Sequence, residues 1–223
     1  MRCTFLANCG LLLEHGGQSI LVDAPNGLHT LFDGVSAEDH RKMVTGQSPY
    51  DGLCGIFFTH RHSDHYDKKR VREITDARRE VPSYAPNGLT PKEGVVHAGV
   101  FTVRYFDIGH SGAEFSEVVH RVLLVEAGNS RVYITGDAQW DDPKHLEIIN
   151  GFSPTAATWN PNYLSHEEGR ALMGFVKQNY LYHLPVIADD SLGFGRKCRH
   201  DYLRYGDCVN AVLVDTYPKT VEV

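Results

Sequence analysis

The sequence predicts a mixed α/β (α+β) fold in a single domain that covers residues 1–223. Short apolar runs, some of which alternate apolar and polar residues, indicate strands in both halves of the chain. Helix-like segments with capping signals lie between these runs. No linker, short-period repeat or low-complexity segment separates the two halves, and 223 residues are enough for one sizeable core.

Composition and charge exclude several classes of protein. With 42% hydrophobic and 22% charged residues, the chain does not resemble a disordered protein. The formal net charge of −6 disfavours nucleic acid as a partner and leaves a small-molecule substrate as the expected one. The 13 histidines are an unusual number and indicate metal or acid–base chemistry.

The cysteines and the apolar runs predict a cytoplasmic protein with no membrane association. Five cysteines are scattered without a Cys-x-x-Cys pair, which fits a reducing compartment better than a disulfide framework. Cys3, Cys9 and Cys54 are expected to be small buried residues. No apolar run approaches the roughly 20 residues that span a bilayer, and no signal-peptide pattern opens the chain. The sequence does not distinguish a monomer from a homo-oligomer.

The first third of the chain predicts three strands and a helix. The strands are expected at residues 2–7, 10–15 and 18–24. A helix is expected at 36–46, with Ser36 as its N-cap and acidic residues in its first turn.

The next segment contains the densest group of polar side chains in the sequence. An apolar strand at 56–58 is followed by His60, His62, Asp64 and His65. Alternate residues of an extended segment share one face, so His65 joins the others only if the chain turns near Ser63. Imidazole and carboxylate groups at this density suit zinc or another first-row divalent metal.

The remainder predicts alternating strands and helices. Helices are expected at 66–80, 142–150, 165–178 and 197–205, and strands at 95–96, 100–108, 118–127, 131–135, 154–159, 179–185 and 209–216. Ser165 starts a capping-box pattern, which makes His166 an exposed first-turn residue. Asp189 and Asp190 are expected in a solvated loop, with the mouth of a site as the alternative.

The segment Thr59–His65 resembles the His-x-His-x-Asp-His signature of the metallo-β-lactamase superfamily. The resemblance covers about residues 1–185 and implies a four-layer αββα sandwich. It implies further ligands at three strand ends: His110, Asp137 in the sequence Thr-Gly-Asp, and His183. Gly136 would allow close backbone approach or a positive φ. Asp23, at the end of an early strand, would orient a ligand histidine, although a simple strand-end role is equally consistent.

This resemblance also implies the chemistry of the site. His60, His62 and His110 would hold one divalent ion, Asp64, His65 and His183 a second, and Asp137 would bridge the two. Zinc is the preferred ion, with manganese and iron open, and no cysteine occupies a ligand position. Water between such ions ionises near neutral pH, and Asp64 would also accept a proton from it.

The expected function is therefore hydrolysis of a small ester, lactone or phosphodiester. The alternatives are an RNA-processing nuclease of the same superfamily and a non-catalytic metal-containing sensor. A flavodiiron-type redox protein is disfavoured, because position 62 is His where that family has Glu and no flavin domain follows. Tyr163, His166 and Tyr182 are candidates for protonating the leaving group. Substrate choice is expected to depend on the loops at 25–35, 86–94, 160–165 and 186–196.

Overall fold

A computed structural model describes residues 1–27, 29, 31–88, 91–185 and 190–223 of the chain. Within them, thirteen strands form two sheets. The first sheet has six strands in the order β13-β1-β2-β3-β4-β5. These strands are β1 (Arg2–Ala7), β2 (Gly10–His15), β3 (Gln18–Val22), β4 (Leu53–Phe57), β5 (Ser83–Tyr84) and β13 (Lys219–Glu222).

The second sheet has seven strands in the order β12-β11-β10-β9-β8-β7-β6. They are β6 (Gly94–Ala98), β7 (Phe101–Asp107), β8 (Arg121–Ala127), β9 (Ser130–Ile134), β10 (Ala156–Trp159), β11 (Gln178–Leu181) and β12 (Ala211–Leu213). Strands β9 to β12 are parallel, as are β3, β4 and β5 in the first sheet. The carboxyl ends of each parallel set therefore lie along one edge of their sheet.

Six helices cover the outer faces of the sheets. They are α1 (Ala37–Thr45), α2 (Lys68–Ala77), α3 (Lys144–Phe152), α4 (Asn162–Ser165), α5 (Glu167–Met173) and α6 (Phe194–Tyr205). Short 3-10 turns occur at Pro86–Gly88, Ala113–Phe115 and Asp207–Val209. None of the described helices is long and apolar enough to cross a membrane.

Three clusters of buried side chains show how the layers stack. The largest joins inward residues of both sheets, such as Phe5 and Leu11 with Val103 and Leu123. The other two pack α1 and α2 against the first sheet, and α3, α4 and α5 against the second. The predicted four-layer αββα sandwich is thus confirmed.

The helix preceding the His-rich segment begins as the sequence predicted. The hydroxyl of Ser36 accepts a hydrogen bond from the backbone N–H of Asp39 at 3.0 Å. Gly46 ends α1 in the left-handed conformation, with φ of 63°. In α2, which follows the His-rich segment, Asp67 caps the first turn, and the apolar residues Val71 and Ile74 turn inward. Lys68, Lys69 and Arg72 are exposed, as expected for a solvated face. Arg70 departs from this expectation, because its side chain is half-buried and donates to the carbonyls of Asn26 and Val35 at 3.3 and 2.6 Å.

The capping-box prediction at Ser165 is wrong. Ser165 belongs to α4, and its hydroxyl accepts from Lys197 Nζ at 2.6 Å instead of from the first turn of α5. His166 precedes α5 without a side-chain capping bond, and it is half-buried and stacked on Trp140 with ring centroids 3.9 Å apart. Helix α5 ends at Met173 instead of at residue 178, because the residues from Gln178 onward form β11.

The carboxyl-terminal segment departs from the prediction in two ways. The expected strand at 209–216 is shorter, as β12, and it completes the second sheet. A further strand, β13, was not predicted and pairs antiparallel with β1 in the first sheet. Its residues alternate between half-buried and exposed, so the sequence of this strand has only a weak apolar pattern. Pairing with β1 covers an edge that would otherwise be open.

The side chain of Asn179 in β11 contacts β10, α5 and the 3-10 turn at Asp207–Val209, and its loss is expected to destabilise the fold. Its side-chain amide is 2.6 Å from the carbonyl of Val209 and 3.1 Å from those of Met173 and Val176, and its oxygen accepts from Trp159 Nε1 at 2.7 Å. We expect Asn179→Ala to lower the free energy of unfolding by about 2–4 kcal/mol, because buried polar groups lose their partners.

Urea denaturation of Asn179→Ala beside Asn150→Ala measures this effect. Asn150 is exposed on α3, so its replacement should leave the midpoint almost unchanged. Equal midpoints for the two variants would contradict the structural role of Asn179.

Candidate metal centre

The predicted ligand side chains lie where strands of the two sheets end. His60 follows β4 in the first sheet, whereas His110, Asp137 and His183 follow β7, β9 and β11 in the second. The loops carrying His110 and Asp137 are tied together by two backbone hydrogen bonds, from Ser111 N to Asp137 O at 2.8 Å and from Gln139 N to Gly109 O at 2.9 Å. His110 and Asp137, 27 positions apart in the sequence, thereby meet in one place.

The His-rich segment turns as its spacing required. The backbone N–H groups of His65 and Tyr66 both donate to the carbonyl of His62, at 3.0 and 2.8 Å. Asn26 Nδ2 donates a hydrogen bond to the carbonyl of Asp64 at 2.8 Å. This tight turn places His65 on the same side as His60 and Asp64.

One group of three histidines forms the first half of the cluster. A nitrogen from each of His60, His62 and His110 lies within 4.8 Å of the other two. The Nε2 atoms of His60 and His110 are buried and have no hydrogen-bond partner among the residues that the structure describes. Burial, together with the neighbouring imidazole of His65, holds the pKa of His60 well below its usual value. The ring is therefore neutral, which is the form that binds metal.

The second half of the cluster contains Asp64, His65, Asp137 and His183, whose ligand atoms also lie within 4.8 Å of one another. The Nε2 atoms of His65 and His183 are 2.9 Å apart, and Asp64 Oδ2 is 3.3 Å from His183 Nε2. Burial disfavours the charged form of Asp64, but the charges of His65 and His183 outweigh it and hold its pKa well below the usual range.

Asp137 connects the two halves. Its Oδ2 atom is 3.3 Å from His65 Nε2, 3.6 Å from His110 Nε2 and 3.8 Å from His60 Nε2. Burial raises the pKa of this carboxyl, but the charges of His183 and His65 hold it well below its usual value. An ionised carboxylate between two groups of imidazoles is suited to contact two cations at once.

The donor set fits divalent metal ions. Buried imidazole nitrogens without partners are costly, and a cation is the group that would satisfy them alongside two carboxylates. The seven predicted side chains present nitrogen and oxygen atoms, as zinc, manganese and iron accept. The structure thus brings all seven predicted side chains together, and their binding of metal remains a prediction.

Cys9 lies closer to the cluster than the sequence suggested. Its Sγ falls within 4.8 Å of ligand atoms of His65 and His183, although no cysteine occupies a motif position. The thiol donates to the carbonyl of Asp64 at 2.9 Å, and burial raises its pKa to about 12. Cys9 is therefore a protonated thiol that supports the turn, in keeping with its expected burial.

Asp23 lies beneath the cluster, in the place the resemblance implied. Its Oδ1 accepts from the backbone N–H of Thr59 at 2.7 Å, and its Oδ2 accepts from the Thr59 hydroxyl at 2.8 Å. The same Oδ2 is 3.0 Å from His65 Nδ1. A carboxylate on Nδ1 leaves Nε2 of His65 directed at the cluster.

Two residues that hydrogen-bond to Asp137 were not predicted from the sequence. His120 is buried, and its Nε2 accepts from the backbone N–H of Asp137 at 3.2 Å while Nδ1 donates to Ile108 O at 3.0 Å. Burial lowers the pKa of His120 to about 3, so the ring is neutral and can accept. Asn160 Nδ2 donates to Asp137 Oδ1 at 2.6 Å. Neither residue lies in a recognisable motif, although His120 directly precedes an apolar strand.

A cleft of about 810 Å³ opens over the cluster. Asp190 lines it, but the carboxylate is buried and accepts from the N–H groups of Gly195 and Arg196 at 2.9 Å, so the expected solvated loop is wrong at this residue. Asp189 lies outside the described residues. Tyr163, Tyr182 and His166 do not line the cleft. Tyr163 instead bonds His145 Nε2 at 2.9 Å, so these three are poor candidates for protonating a leaving group.

Comparison with known proteins identifies the fold. No family model and no curated protein matches the chain. Three solved structures, each aligned over 100% of this chain, show the similarity. Isothiocyanate hydrolase from Delia radicum gut bacteria is 14% identical, with a TM-score of 0.65 over 99% of its chain. The metallo-beta-lactamase fold protein YhfI from Bacillus subtilis is 16% identical, with a TM-score of 0.67 over 98% of its chain. Igni18, a metallo hydrolase from Ignicoccus hospitalis, is 13% identical, with a TM-score of 0.66 over 98%. The chain has the metallo-β-lactamase fold, which confirms the resemblance at this level.

Gly136 is expected to tolerate no side chain. Its φ is +53°, and an added Cβ would lie 2.7 Å from Thr59 Oγ1, 2.8 Å from Thr59 Cβ and 3.0 Å from His120 Nε2. These observations confirm both predicted reasons for a glycine. We expect Gly136→Ala to lower the free energy of unfolding by about 2–4 kcal/mol and to weaken metal binding by displacing Asp137.

Thermal unfolding and metal titration of Gly136→Ala measure the two effects. Gly151→Ala is the matched control, because a Cβ there meets nothing within 4 Å and its φ is not positive. An unchanged metal affinity in Gly136→Ala would show that Asp137 does not depend on this close approach.

Asp23→Asn is expected to weaken metal binding without unfolding the chain. The amide retains the shape of the carboxylate but lacks the charge that orients His65, and such losses typically cost about 10–100-fold in metal affinity. Competition with a chromophoric chelator measures the affinity. Asp51→Asn, at an exposed position, is the control. Equal affinities for the two variants would assign Asp23 the simpler strand-end role.

Proposed function

We propose that the chain is a metal-dependent hydrolase that holds two divalent ions and cleaves a small ester, lactone or phosphodiester. The supporting observation is the convergence of five histidines and two aspartates at the joint edge of two sheets. In this cluster, His60 Nε2 and His110 Nε2 are buried without partners. Structural reasons alone do not account for unpartnered buried imidazoles beside two carboxylates.

The residues divide between two positions. His60, His62 and His110 would hold one ion, and Asp64, His65 and His183 the other. Asp137 would contact both, in accord with its distances to histidines of each group. We favour zinc, with manganese and iron as alternatives, because each accepts this set of nitrogen and oxygen donors.

Two such ions would lower the pKa of water between them toward neutrality and polarise the bond to be cleaved. The chain supplies the remaining tasks. Asp64, ionised and lining the cleft, is placed to accept a proton at Oδ2. Asp23 and His120 fix His65 and Asp137 by hydrogen bonds, which keeps the ligands oriented before substrate arrives. We also propose a reducing, cytoplasmic setting, supported by five cysteines that form no disulfide.

Metal content per chain, measured by elemental analysis, is the first test. We expect about two divalent ions per chain in the parent protein and a clear loss in His60→Ala, because His60 contributes a buried nitrogen to one group. His97→Ala is the matched control, since His97 is exposed on β6 far from the predicted ligands in the sequence. Hydrolysis of a panel of esters, lactones and phosphodiesters then tests turnover.

Each result bears on the proposal. Absence of metal even after reconstitution, or equal loss in His60→Ala and His97→Ala, would contradict the metal site. Metal without turnover on any substrate would favour the non-catalytic sensor. Cleavage of structured RNA in preference to small substrates would favour the nuclease.

A further inference from the structure

The walls of the cleft are mostly apolar, although its floor is the polar cluster. Six apolar residues line it: Leu31, Phe32, Phe115, Pro185, Leu192 and Phe194. Leu192 is 76% exposed and Phe115 is 37% exposed, so both present apolar surface to solvent at the mouth. Exposed apolar surface around a polar floor is typical of a site that binds a small molecule.

One aromatic ring lies beside each half of the cluster. The centroid of the Phe115 ring is 4.7 Å from that of His110 and 5.2 Å from that of His62, both in the first group of histidines. The centroid of the Phe32 ring is 4.5 Å from that of His183, in the second group, and the two rings meet edge to face. A substrate reacting between the two groups would therefore meet an aromatic ring on either side.

The cleft offers a bound anion little positive charge of its own. Lys197 is the only Lys or Arg among the described residues that line it, and its Nζ is bonded to Ser165 Oγ at 2.6 Å and Asp201 Oδ2 at 2.9 Å. The eight residues outside the described ranges include no Lys, Arg or His. Glu114 also lines the cleft and adds negative charge, whereas the carboxylate of Asp190 is paired with Arg196 Nη1 at 4.0 Å. Apart from its histidines, the described lining of the cleft offers a phosphodiester or a nucleic acid no basic side chain that is free of an acidic partner.

We propose that the substrate is an uncharged carboxylic ester or lactone with an alkyl or aryl substituent, and that Phe32 and Phe115 select it. The inference rests on the proposed hydrolase and narrows its substrate class by excluding phosphodiesters. In the reaction, the oxygen of water bonds to the acyl carbon and the acyl–oxygen bond breaks. The alcohol leaves with one proton of the water, and the acid retains the other. The apolar substituent lies against the rings, where each buried methylene strengthens binding.

A homologous series of substrates tests the selection. The metal-loaded full chain is assayed with 4-nitrophenyl acetate, butanoate and hexanoate, and with bis(4-nitrophenyl) phosphate, an anionic diester that has the same leaving group. We expect kcat/KM to rise roughly two- to fourfold per added methylene. We also expect the diester to show the smallest acceleration when each kcat/KM is divided by the rate of uncatalysed hydrolysis of the same compound.

Variants assign the effect to the two rings. Phe115→Ala and Phe32→Ala should raise KM for the hexanoate by roughly tenfold with little change in kcat, and should flatten the dependence on chain length. Phe115→Leu, which retains apolar volume, should restore most of it. Phe175→Ala is the matched control, because Phe175 is 59% exposed and does not line the cleft. Metal content is measured for every variant, so that loss of an ion is not mistaken for loss of selectivity.

Calorimetry provides a readout that does not need turnover. The uncharged ketone 4-phenyl-2-butanone should bind the metal-loaded protein with a negative heat-capacity change, because its apolar part is buried against the two rings. Affinity for the ketone should fall in Phe115→Ala and Phe32→Ala but not in Phe175→Ala.

The two proposals fail in different ways. Turnover that favours the phosphate diester, or that is insensitive to chain length and to both ring variants, would overturn the substrate class and leave the hydrolase standing. Absence of turnover on every substrate would overturn the hydrolase. In that case, ketone binding that depends on the two rings would still support an apolar ligand, and absence of such binding would overturn this inference as well.

Discussion

The buried carboxylate of Asp23 holds the metal-binding segment against the first sheet. It accepts two hydrogen bonds from Thr59 and lies 3.0 Å from the ring of His65, while the carbonyl of Thr59 accepts from Arg121 N in the second sheet at 2.8 Å. Thr59 thus connects both sheets immediately before the first predicted ligand. A buried carboxylate is stable only when such donors surround it. The geometry of the cluster and the integrity of the sheet edge therefore depend on the same contacts.

The part of the site that is local in sequence could be predicted from local rules. The alternation of His60, His62 and Asp64 requires a shared face, and the position of His65 requires the turn that His62 O closes with two hydrogen bonds. His110, Asp137 and His183 could not be placed this way, because they are brought in by strand pairing over long separations. Only the resemblance to a known superfamily linked them to the motif. The structure places them together.

The supporting residues escaped prediction because their roles exist only in the tertiary structure. His120 accepts from Asp137 N across 17 positions of sequence, and Asn160 donates to the same residue across 23. A single histidine before an apolar strand has no pattern that distinguishes it from a core residue. The same limit explains β13, whose alternation of half-buried and exposed residues carries little apolar signal without its partner β1. Local capping rules failed at Ser165 because the residue belongs to α4 and its hydroxyl accepts from Lys197 Nζ.

The floor and the walls of the cleft differ in polarity, and electrostatics explains the difference. Histidines and carboxylates occupy the floor, where unpartnered nitrogens and ionised oxygens converge on a small volume. Positive charge that would otherwise face the cleft is neutralised nearby, as Lys197 is by Asp201. The walls can then be apolar without conflict, because any ions bound at the floor supply the attraction for a polarised oxygen. Rings beside His110 and His183 exclude water around the reacting group and thereby strengthen that attraction. Selectivity for an uncharged substrate thus follows from concentrating charge at the floor, where the acyl–oxygen bond would break, and apolar rings at the walls.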